Sequence, residues 1–389
     1  PNGWVLMGDL KVGDEVIAYD GSVTHVTGVY PQGEKDIYEC IFSDGAKTRC
    51  CDEHLWLTET ENDRQKSNYH ARNGRVRKFD SVKSLNEIRH SLIHGKKQKN
   101  HKIPQVQLID FVEKDVLIAP YVMGVLLGDG AISGKAVTFC PGDKEIAEKV
   151  EKYIDLIDGL DLKQLDCIGK ATTYRITVGQ KGGASNPYTS KLREYGLQGC
   201  RSEDKFIPNV YKFGSIQQRI DLLHGLMDTD GYVSKDGITV QYYSTSQQLA
   251  NDVVELVQSL GAIAWITSKI PTFKYKDEKK QGKRIYTVSI NMRPEINPFS
   301  LRRKAERVKP KEKYLPVRYF VEVNNIGKQL AQCISIDHPS HLYVTDDYIV
   351  THNTATALVS VQHAQNIGVK NKTLFIVPSA VLSNWRKEA

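Results

Sequence analysis

One apolar pattern occurs twice in this chain of 389 residues, and it constrains the fold more than any other feature. The copies occupy residues 121–130 and 222–231, and each contains a glycine and ends on Asp-Gly. The terminal acids, Asp129 and Asp230, are 101 residues apart, which indicates an internal duplication. Small residues on one face let two helices approach closely. The two acids are therefore predicted to lie side by side at one end of a helix pair.

This pair of acids predicts a metal site. Adjacent carboxylates repel each other unless a cation lies between them, and Mg²⁺, a hard divalent ion, suits oxygen ligands. The alternative is a metal-free pair of core helices, each capped by its Asp-Gly.

The duplicated motif resembles that of the LAGLIDADG homing endonucleases in their single-chain, pseudo-symmetric form. The resemblance implies an α+β domain that cleaves double-stranded DNA with Mg²⁺ held by Asp129 and Asp230. Leu127 replaces the motif's earlier acid in the first copy, whereas the second copy keeps Asp228. Lys205, which opens a Lys-Phe-Ile-Pro segment, matches a family block whose lysine lies near the cleaved phosphate and stabilises charge there.

A second set of reactive groups lies near the end of the chain, where His352 and Asn353 precede Thr354. The Asn353 side-chain amide can attack its own carbonyl, forming a succinimide and breaking the bond to Thr354. His352 is placed to supply the proton that the leaving amine needs, and the Thr354 hydroxyl can accept an acyl group. The alternative is a plain β-hairpin, turning at Asp346-Asp347, whose second strand happens to end in His-Asn.

The residues after Asn353 resemble the segment that follows the phosphate-binding loop of an SWI/SNF-type DNA helicase. A run of small and apolar residues begins at Thr354, residues 371–378 form a strand-like run ended by proline, and residues 384–388 read Asn-Trp-Arg-Lys-Glu. The chain up to Asn353 resembles an intein inserted between the lysine and the threonine of that loop. The resemblance implies autocatalytic protein splicing without an external cofactor, with the helicase segments as exteins in cis.

The N-terminal part resembles the all-β, horseshoe-shaped splicing fold of the HINT type, because residues 7–16 match its first conserved block. His54 matches the histidine that acts on the amide of the N-terminal junction, although Cys51 stands where that block usually has threonine. Trp56 and Cys333, together with the threonine after the last asparagine, resemble the class of inteins that lack an N-terminal nucleophile.

In that class the internal Cys333 attacks the N-terminal junction, and the acyl group then moves to Thr354. Asn353 cyclises last, with help from His352 and from His341, which matches the conserved histidine of the closing block.

Two alternatives stay open at this point. The chain begins at Pro1 with no Cys or Ser beside it, so it could be an ordinary intein whose N-terminal nucleophile has been trimmed. It could also be a degenerate insert that binds DNA without cutting it, an interpretation that Leu127 and Cys51 favour.

Composition adds little to these motifs. Seven cysteines without CxxC pairs argue for reduced thiols rather than a disulfide framework or a zinc site. No apolar run is long enough to span a bilayer and no signal peptide is present, so a cytoplasmic protein without a membrane partner is expected. A net charge of +7 is only mildly basic, and the polar, basic stretch at 59–105 could contact phosphates or be a solvated face.

The sequence therefore predicts a multidomain monomer with an all-β splicing domain, an α+β endonuclease domain and a short α/β tail. The expected boundaries are 1–112 for the N-terminal part of the splicing domain, 113–305 for the endonuclease, 306–353 for the rest of the splicing domain and 354–389 for the helicase-derived extein.

Overall fold

The computed structural model describes residues 3–72, 81–95, 97–134, 136–165, 172–179, 186–275, 278–310 and 315–353. The predictions about Thr354 and the helicase-like tail lie outside these residues. The chain divides into two compact units. Residues 3–107 and the segment from 317 onward form the first unit, and residues 108–316 form the second. The first unit is thus built from both ends of the described chain.

The N-terminal part of the first unit consists mainly of strands, and one of them is 20 residues long. The strands are β1 (Glu15–Ile17), β2 (Val23–Phe42), β3 (Lys47–Cys51), β4 (Leu55–Leu57), β5 (Val82–Ser84), β6 (Ile93–His94), β7 (Gln98–Lys99) and β8 (Lys102–Ile103). The polar, basic stretch contributes two helices, α1 (Glu61–Arg72) and α2 (Leu85–Arg89). Helix α2 begins at a capping box, in which the Ser84 and Glu87 side chains each accept a backbone N–H from the other residue.

The second unit mixes helices with two four-stranded antiparallel sheets. Its helices are α3 (Pro120–Gly128), α4 (Lys144–Ile154), α5 (Pro187–Glu194), α6 (Asn209–Lys212), α7 (Ile216–Asp230), α8 (Gln247–Ser259) and α9 (Arg302–Ala305). Its strands are β9 (Gly130–Ala131), β10 (Val137–Phe139), β11 (Leu160–Leu165), β12 (Thr173–Val178), β13 (Gly231–Val233), β14 (Val240–Ser244), β15 (Ile263–Lys269), β16 (Thr272–Tyr275), β17 (Glu278–Gln281) and β18 (Ile285–Asn291). The sheet orders are β11-β12-β10-β9 and β13-β14-β18-β15, so one sheet follows each copy of the duplicated motif.

Helices α3 and α7 pack against each other through Gly124 and Gly225, which are the glycines inside the two motif copies. A Cβ built on Gly124 would lie 2.9 Å from the Cα of Gly225 and 2.8 Å from the backbone nitrogen of Leu226. The backbones are therefore in direct contact, and only glycine permits this approach. The close helix packing expected from the sequence is present in the structure.

The first unit is completed by β19 (Arg318–Ile336), β20 (Leu342–Thr345) and β21 (Ile349–His352). Strand β19 pairs antiparallel with β2 over nearly its whole length, from Phe320 opposite Phe42 to Ile336 opposite Val26. Four register shifts interrupt this ladder, and such bulges bend and twist long strands. The hairpin β20–β21 turns at residues 346–348, where the sequence places its Asp-Asp turn.

Each unit has a hydrophobic core of its own. In the first, Trp56 packs between Phe42 and Phe320. In the second, the apolar faces of the helices and sheets form one large cluster. Within the described residues, no helix is both long enough and apolar enough to cross a membrane.

Candidate functional sites

Strand β21 is followed directly by a buried Asn353, whose polar groups all have partners. Its backbone N–H donates to the His341 carbonyl at 2.8 Å. With the amide oriented to satisfy both of its neighbours, Nδ2 donates to the same carbonyl at 3.1 Å and Oδ1 accepts from the Ile336 N–H at 3.2 Å. The Asn353 carbonyl oxygen lies in hydrogen-bond contact with Nδ1 of His352. The amide that would attack and the carbonyl that would be attacked are thus both held.

His352 is neutral near pH 7, because burial lowers its pKa to about 4 against the opposing effect of the Asn353 carbonyl. A neutral imidazole that faces a carbonyl oxygen through Nδ1 must carry its proton on that nitrogen. His352 therefore polarises the Asn353 carbonyl in this structure. The predicted transfer of a proton to the leaving amine remains a prediction.

His341 contacts Asn353 through its backbone rather than through its ring. Its side chain is exposed, and its ring centroid is 6.1 Å from that of His352. The residue has a φ of 57°, in the left-handed region that few non-glycine residues occupy. This backbone conformation accompanies the carbonyl position that holds Asn353. Backbone groups such as the His341 carbonyl and the Ile336 N–H carry no sequence signal, and sequence reasoning missed both.

His54 is held by the strand that carries the terminal His-Asn pair. Its Nε2 lies 2.6 Å from Oγ1 of Thr351, a residue that the sequence analysis did not select. Burial, followed by the neighbouring His352, lowers the pKa of His54 to about 3, so this imidazole is also neutral. The Trp56 ring packs edge to face on His54 at 5.4 Å and is fully buried. The structure thus gives Trp56 a packing contact with His54, and its catalytic role stays a prediction.

Cys333 lies on β19, opposite Tyr30 on β2. Burial, followed by the nearby Cys51, raises the pKa of the Cys333 thiol to about 11, while Lys35 acts in the opposite direction. Cys333 is therefore a protonated thiol near pH 7, and it must lose this proton before it can attack. The structure brings His54, Trp56, His341, His352 and Asn353 into one connected set and places Cys333 beside Cys51.

The duplicated motif forms a second site in the other unit. Asp129 caps the C-terminal end of α3, and Asp230 is the last residue of α7. A Cβ built on Gly128 would lie 3.3 Å from a carboxylate oxygen of Asp230, so this carboxylate reaches the end of the opposite helix. Burial and then the charge of Asp129 raise the pKa of Asp230 to about 6, and burial also raises the pKa of Asp129.

Two buried lysines hold the helix ends that present these acids. Nζ of Lys205 donates to the carbonyls of residues 126, 127, 128 and 130 at 2.7–3.2 Å. Nζ of Lys304 donates to those of residues 227, 228, 229 and 231 over the same range. Each carbonyl in one set is 101 residues from its counterpart, as the two acids are. Burial lowers the pKa of both lysines, that of Lys205 to about 8.

These contacts give Lys205 a role in positioning the end of α3, and its predicted place beside a phosphate stays a prediction. Lys304 was missed as a site residue because it lies in a basic run, Arg302 to Lys313, whose composition suggests only a flank suited to phosphates. Its only sequence signal is that it lies 99 residues after Lys205, close to the period of the duplication.

The earlier acid of the second motif copy has a structural role. Asp228 is 1% exposed and accepts hydrogen bonds from the Tyr121 hydroxyl, from the backbone N–H groups of Ser300 and Leu301, and from the Ser300 hydroxyl. Its counterpart Leu127 is packed in the hydrophobic core. Because Asp228 is saturated by these partners, Leu127 in the first copy removes an anchoring contact rather than a carboxylate of the Asp129–Asp230 pair.

The residues at the acid pair fit a hard divalent cation. Two partly buried carboxylates with raised pKa values are an arrangement that a cation would relieve. Within the described residues, no group of three or more His, Cys, Asp and Glu side chains surrounds a possible metal position. The side-chain ligands at the acid pair would therefore be these two carboxylates, and backbone carbonyl, water or substrate oxygens would complete the coordination.

Residues 217–298 match the LAGLIDADG-like domain. This segment spans most of α7, the sheet β13-β14-β18-β15 and helix α8, so it covers the second copy of the motif. The match supports a LAGLIDADG-like fold for that segment, as the resemblance of the second motif copy predicted.

The chain is also similar to curated helicases. It is 29% identical over 395 residues to "Replicative DNA helicase DnaB" of Mycobacterium intracellulare, covering 98% of this chain and 61% of that protein. It is 31% identical over 192 residues to the Synechocystis protein of the same name, covering 46% of this chain and 21% of that protein. The chain therefore spans less than two thirds of the length of these relatives. Their names agree with the helicase part of the host prediction and do not specify an SWI/SNF type.

Among solved structures, the homing endonuclease I-DmoI in complex with DNA and Mn is 14% identical, with a TM-score of 0.29, covering 51% of this chain and 98% of that chain. Mesophilic variants of I-DmoI are 13% identical, with a TM-score of 0.29, covering 49% of this chain and 92% of that chain.

Proposed function

We propose that the chain up to Asn353 is an intein that excises itself from a helicase host and also carries a DNA endonuclease. The observation that carries the splicing proposal is the convergence of three groups on Asn353, namely His352 on its carbonyl and the backbones of His341 and Ile336 on its side chain. The first unit would then be a HINT-type splicing domain.

In the C-terminal step, Nδ2 of Asn353 attacks the carbonyl carbon of the same residue, and the bond to the nitrogen of Thr354 breaks. The ring that forms is a succinimide: Nδ2 loses one proton as it closes the ring, and the nitrogen of Thr354 gains one proton as it leaves as an amine. His352 donates its Nδ1–H to the oxygen on which negative charge develops. No cofactor takes part in these steps.

In the earlier steps, the Cys333 thiol loses its proton and attacks the carbonyl of the N-terminal junction. The peptide bond there breaks, a thioester forms on Cys333, and the amine of the first intein residue leaves with a proton. The acyl group then passes to the Thr354 hydroxyl as an ester, which rearranges to a peptide after Asn353 has cyclised. Residues 354–389 would belong to the helicase host. Their own resemblance favours an SWI/SNF-type host, whereas the similar curated proteins are named DnaB helicases.

The splicing proposal is tested with a precursor that has host residues on both sides, followed by mass spectrometry. We expect ligated host segments from the parent. Cys333→Ala should keep the N-terminal junction intact while still releasing the tail, and Asn353→Ala should retain the tail. If Cys333→Ala still cleaves the N-terminal junction, an N-terminal nucleophile is at work, as in an ordinary intein. A parent that yields neither ligation nor succinimide contradicts the proposal.

For the second unit, we propose metal-dependent cleavage of double-stranded DNA, carried by the paired acids Asp129 and Asp230. These carboxylates would hold a divalent cation, for which we propose Mg²⁺, and the bound ion would activate water and stabilise charge on the phosphate. Lys205 and Lys304 keep the two helix ends in place. Both motif copies lie in one chain, so we propose that it acts as a monomer.

This proposal is tested by incubating the purified chain with a library of DNA duplexes and Mg²⁺. We expect cleavage by the parent and loss of cleavage in Asp129→Asn and Asp230→Asn, each with retained DNA binding. Asp236→Asn, which changes an exposed acid of the same unit, serves as the matched control. If the parent binds a duplex but leaves it uncut with both Mg²⁺ and Mn²⁺, the chain is the degenerate insert that binds DNA without cutting it, which was the alternative left open by the sequence.

A further inference from the structure

A chain of hydrogen bonds joins Asp20, His338 and Ser340 beside the Asn353 site. Oδ2 of Asp20, in the turn between β1 and β2, lies 3.1 Å from Nε2 of His338. Nδ1 of the same ring lies 2.6 Å from Oγ of Ser340. The sequence analysis found no role for His338, and the splicing steps described above do not use any of the three residues.

The partners of the His338 ring determine which nitrogen carries the proton. The Asp20 carboxylate can only accept, so Nε2 must donate to it. Nδ1 then accepts, both from the Ser340 hydroxyl and from the Ser340 N–H at 3.3 Å. Oγ of Ser340 in turn accepts from the Leu342 N–H at 3.1 Å. Each donor in this chain meets an acceptor when His338 is neutral and protonated at Nε2.

The segment that this chain of bonds fixes is the turn that leads to β20. It contains His341, whose φ of 57° is unfavourable for a side chain of this kind, and whose N–H donates to the His338 carbonyl at 3.0 Å. The His341 carbonyl is the acceptor for both the N–H and the Nδ2 of Asn353. A shift of this turn would therefore move the acceptor that holds the attacking amide.

We propose that Asp20, His338 and Ser340 form a positioning relay that sets the His341 carbonyl and, through it, the Asn353 amide for cyclisation. The three are positioning residues, because none of them touches the atoms that react. The inference rests on the proposed splicing function, since the reaction that it tunes is the C-terminal step of splicing.

The decisive variant is Asp20→Asn. Oδ1 of the new amide can still accept from Ser22, which now donates to Asp20 through its N–H and its hydroxyl. Its NH₂ group, however, faces the Nε2–H of His338, so the ring must move its proton to Nδ1. The Ser340 N–H then loses its acceptor. Ser340→Ala breaks the relay at its other end, and Ser340→Thr keeps the hydroxyl.

The measurement is the rate at which the full chain releases its tail and keeps a succinimide at residue 353, followed by mass spectrometry, together with the melting temperature of each variant. Because small misplacements of reacting groups cost up to about a hundredfold in rate, we expect Asp20→Asn and Ser340→Ala to slow the release by on the order of tenfold. Ser340→Thr should restore most of the rate. His25→Gln, an exposed histidine beside Asp337, is the matched control and should have no effect.

A second readout separates positioning from general loss of structure. In a precursor with N-terminal host residues, the Cys333-dependent thioester, detected by cleavage with added thiol, should form at the parental rate in Asp20→Asn. Equal slowing of both steps, or an unchanged tail-release rate in Asp20→Asn and Ser340→Ala, overturns the relay. If Ser340→Ala melts early, Asp20→Asn decides alone. If the parent never forms the succinimide, both the splicing proposal and the relay are overturned. If the parent forms it and the variants form it at the parental rate, only the relay is overturned.

Discussion

The Asn353 site of the first unit and the acid pair of the second unit accommodate buried polar groups in opposite ways. Around Asn353, burial keeps His54 and His352 neutral, with pKa values of about 3 and 4, and their hydrogen bonds join neutral groups. At the acid pair, Asp230 has a pKa of about 6 and Lys205 one of about 8, so both remain largely charged at pH 7.

This difference indicates what each site needs in order to act. Neutral groups that satisfy one another can remain buried without help, because no net charge has to be desolvated. Charged carboxylates at close quarters raise each other's pKa and favour a bound cation. The buried groups around Asn353 therefore balance one another without added charge, whereas the acid pair would be stabilised by a bound cation, as the proposed cleavage reaction requires.

The largest expected effect comes from the buried lysines of the second unit. Lys205→Met and Lys304→Met each leave four helix-end carbonyls without their donor. We expect each to lower the unfolding free energy of that unit by about 3 kcal/mol. Urea denaturation checks this, with exposed Lys283→Met as the control, which should change it by less than about 0.5 kcal/mol. Tail release from the first unit should persist, and its loss would contradict the independence of the two sites.

A smaller loss is expected at the crossing of α3 and α7. In Gly124→Ala the added Cβ would be 2.9 Å from the Cα of Gly225, so the helices must separate. We expect a loss of about 2 kcal/mol in unfolding free energy and weaker DNA cleavage, because the two acids lie at the ends of these helices. Gly142→Ala, at a position with no atom within 4 Å of the added Cβ, is the control. Equal denaturation midpoints for the two variants would refute the tight contact.

The two units should also respond to acid in opposite directions. His54 and His352 have pKa values below the 6.5 of an ordinary imidazole, so the unfolded chain binds protons first as the pH falls. The first unit should therefore lose stability as the pH falls from about 6.5 to 4.

Asp230 has a raised pKa, so its contribution to stability is fully present below the ordinary aspartate pKa of 3.8 and is lost as the pH rises through about 6. Thermal unfolding between pH 4 and 8 checks both directions. Adding Mg²⁺ at pH 7.5 should raise the melting temperature of the parent and should not raise that of Asp230→Asn. If the stability of both units changed in the same direction with pH, the electrostatic difference between the two sites would be refuted.

The smallest effect is expected at Thr351, whose hydroxyl holds His54 at 2.6 Å. Thr351→Val keeps the shape of the side chain and removes that hydrogen bond, which costs about 1 kcal/mol. We expect a several-fold slower reaction at the N-terminal junction with little change in Asn353 cyclisation, measured separately in the precursor. Thr351→Ser should behave like the parent. Equal slowing of the reactions at both junctions would show that Thr351 acts on the C-terminal step as well, which contradicts the assignment to His54 alone.

Much of the second unit was predictable from its sequence. The glycines and acids of the duplicated motif recur at one fixed spacing, and the structure packs Gly124 against Gly225. The LAGLIDADG-like domain matches residues 217–298, which lie inside the predicted endonuclease range of 113–305 and include the second motif copy. The meaning of Leu127 was not predictable, because the burial of Asp228 by Ser300 and Leu301 depends on a segment about 70 residues away in the chain.

The sequence by itself determined the reactive side chains and their local order: the His352-Asn353 pair, the two Asp-Gly helix ends and the cysteine of β19. Only the tertiary structure decided which groups hold them. The His341 carbonyl and the Ile336 N–H are backbone groups that do not depend on the side chain, so the residue types at these positions do not predict their contacts. The contacts of Lys304 and Thr351, and the raised pKa of the Cys333 thiol, depend on burial by chain segments that are distant in sequence.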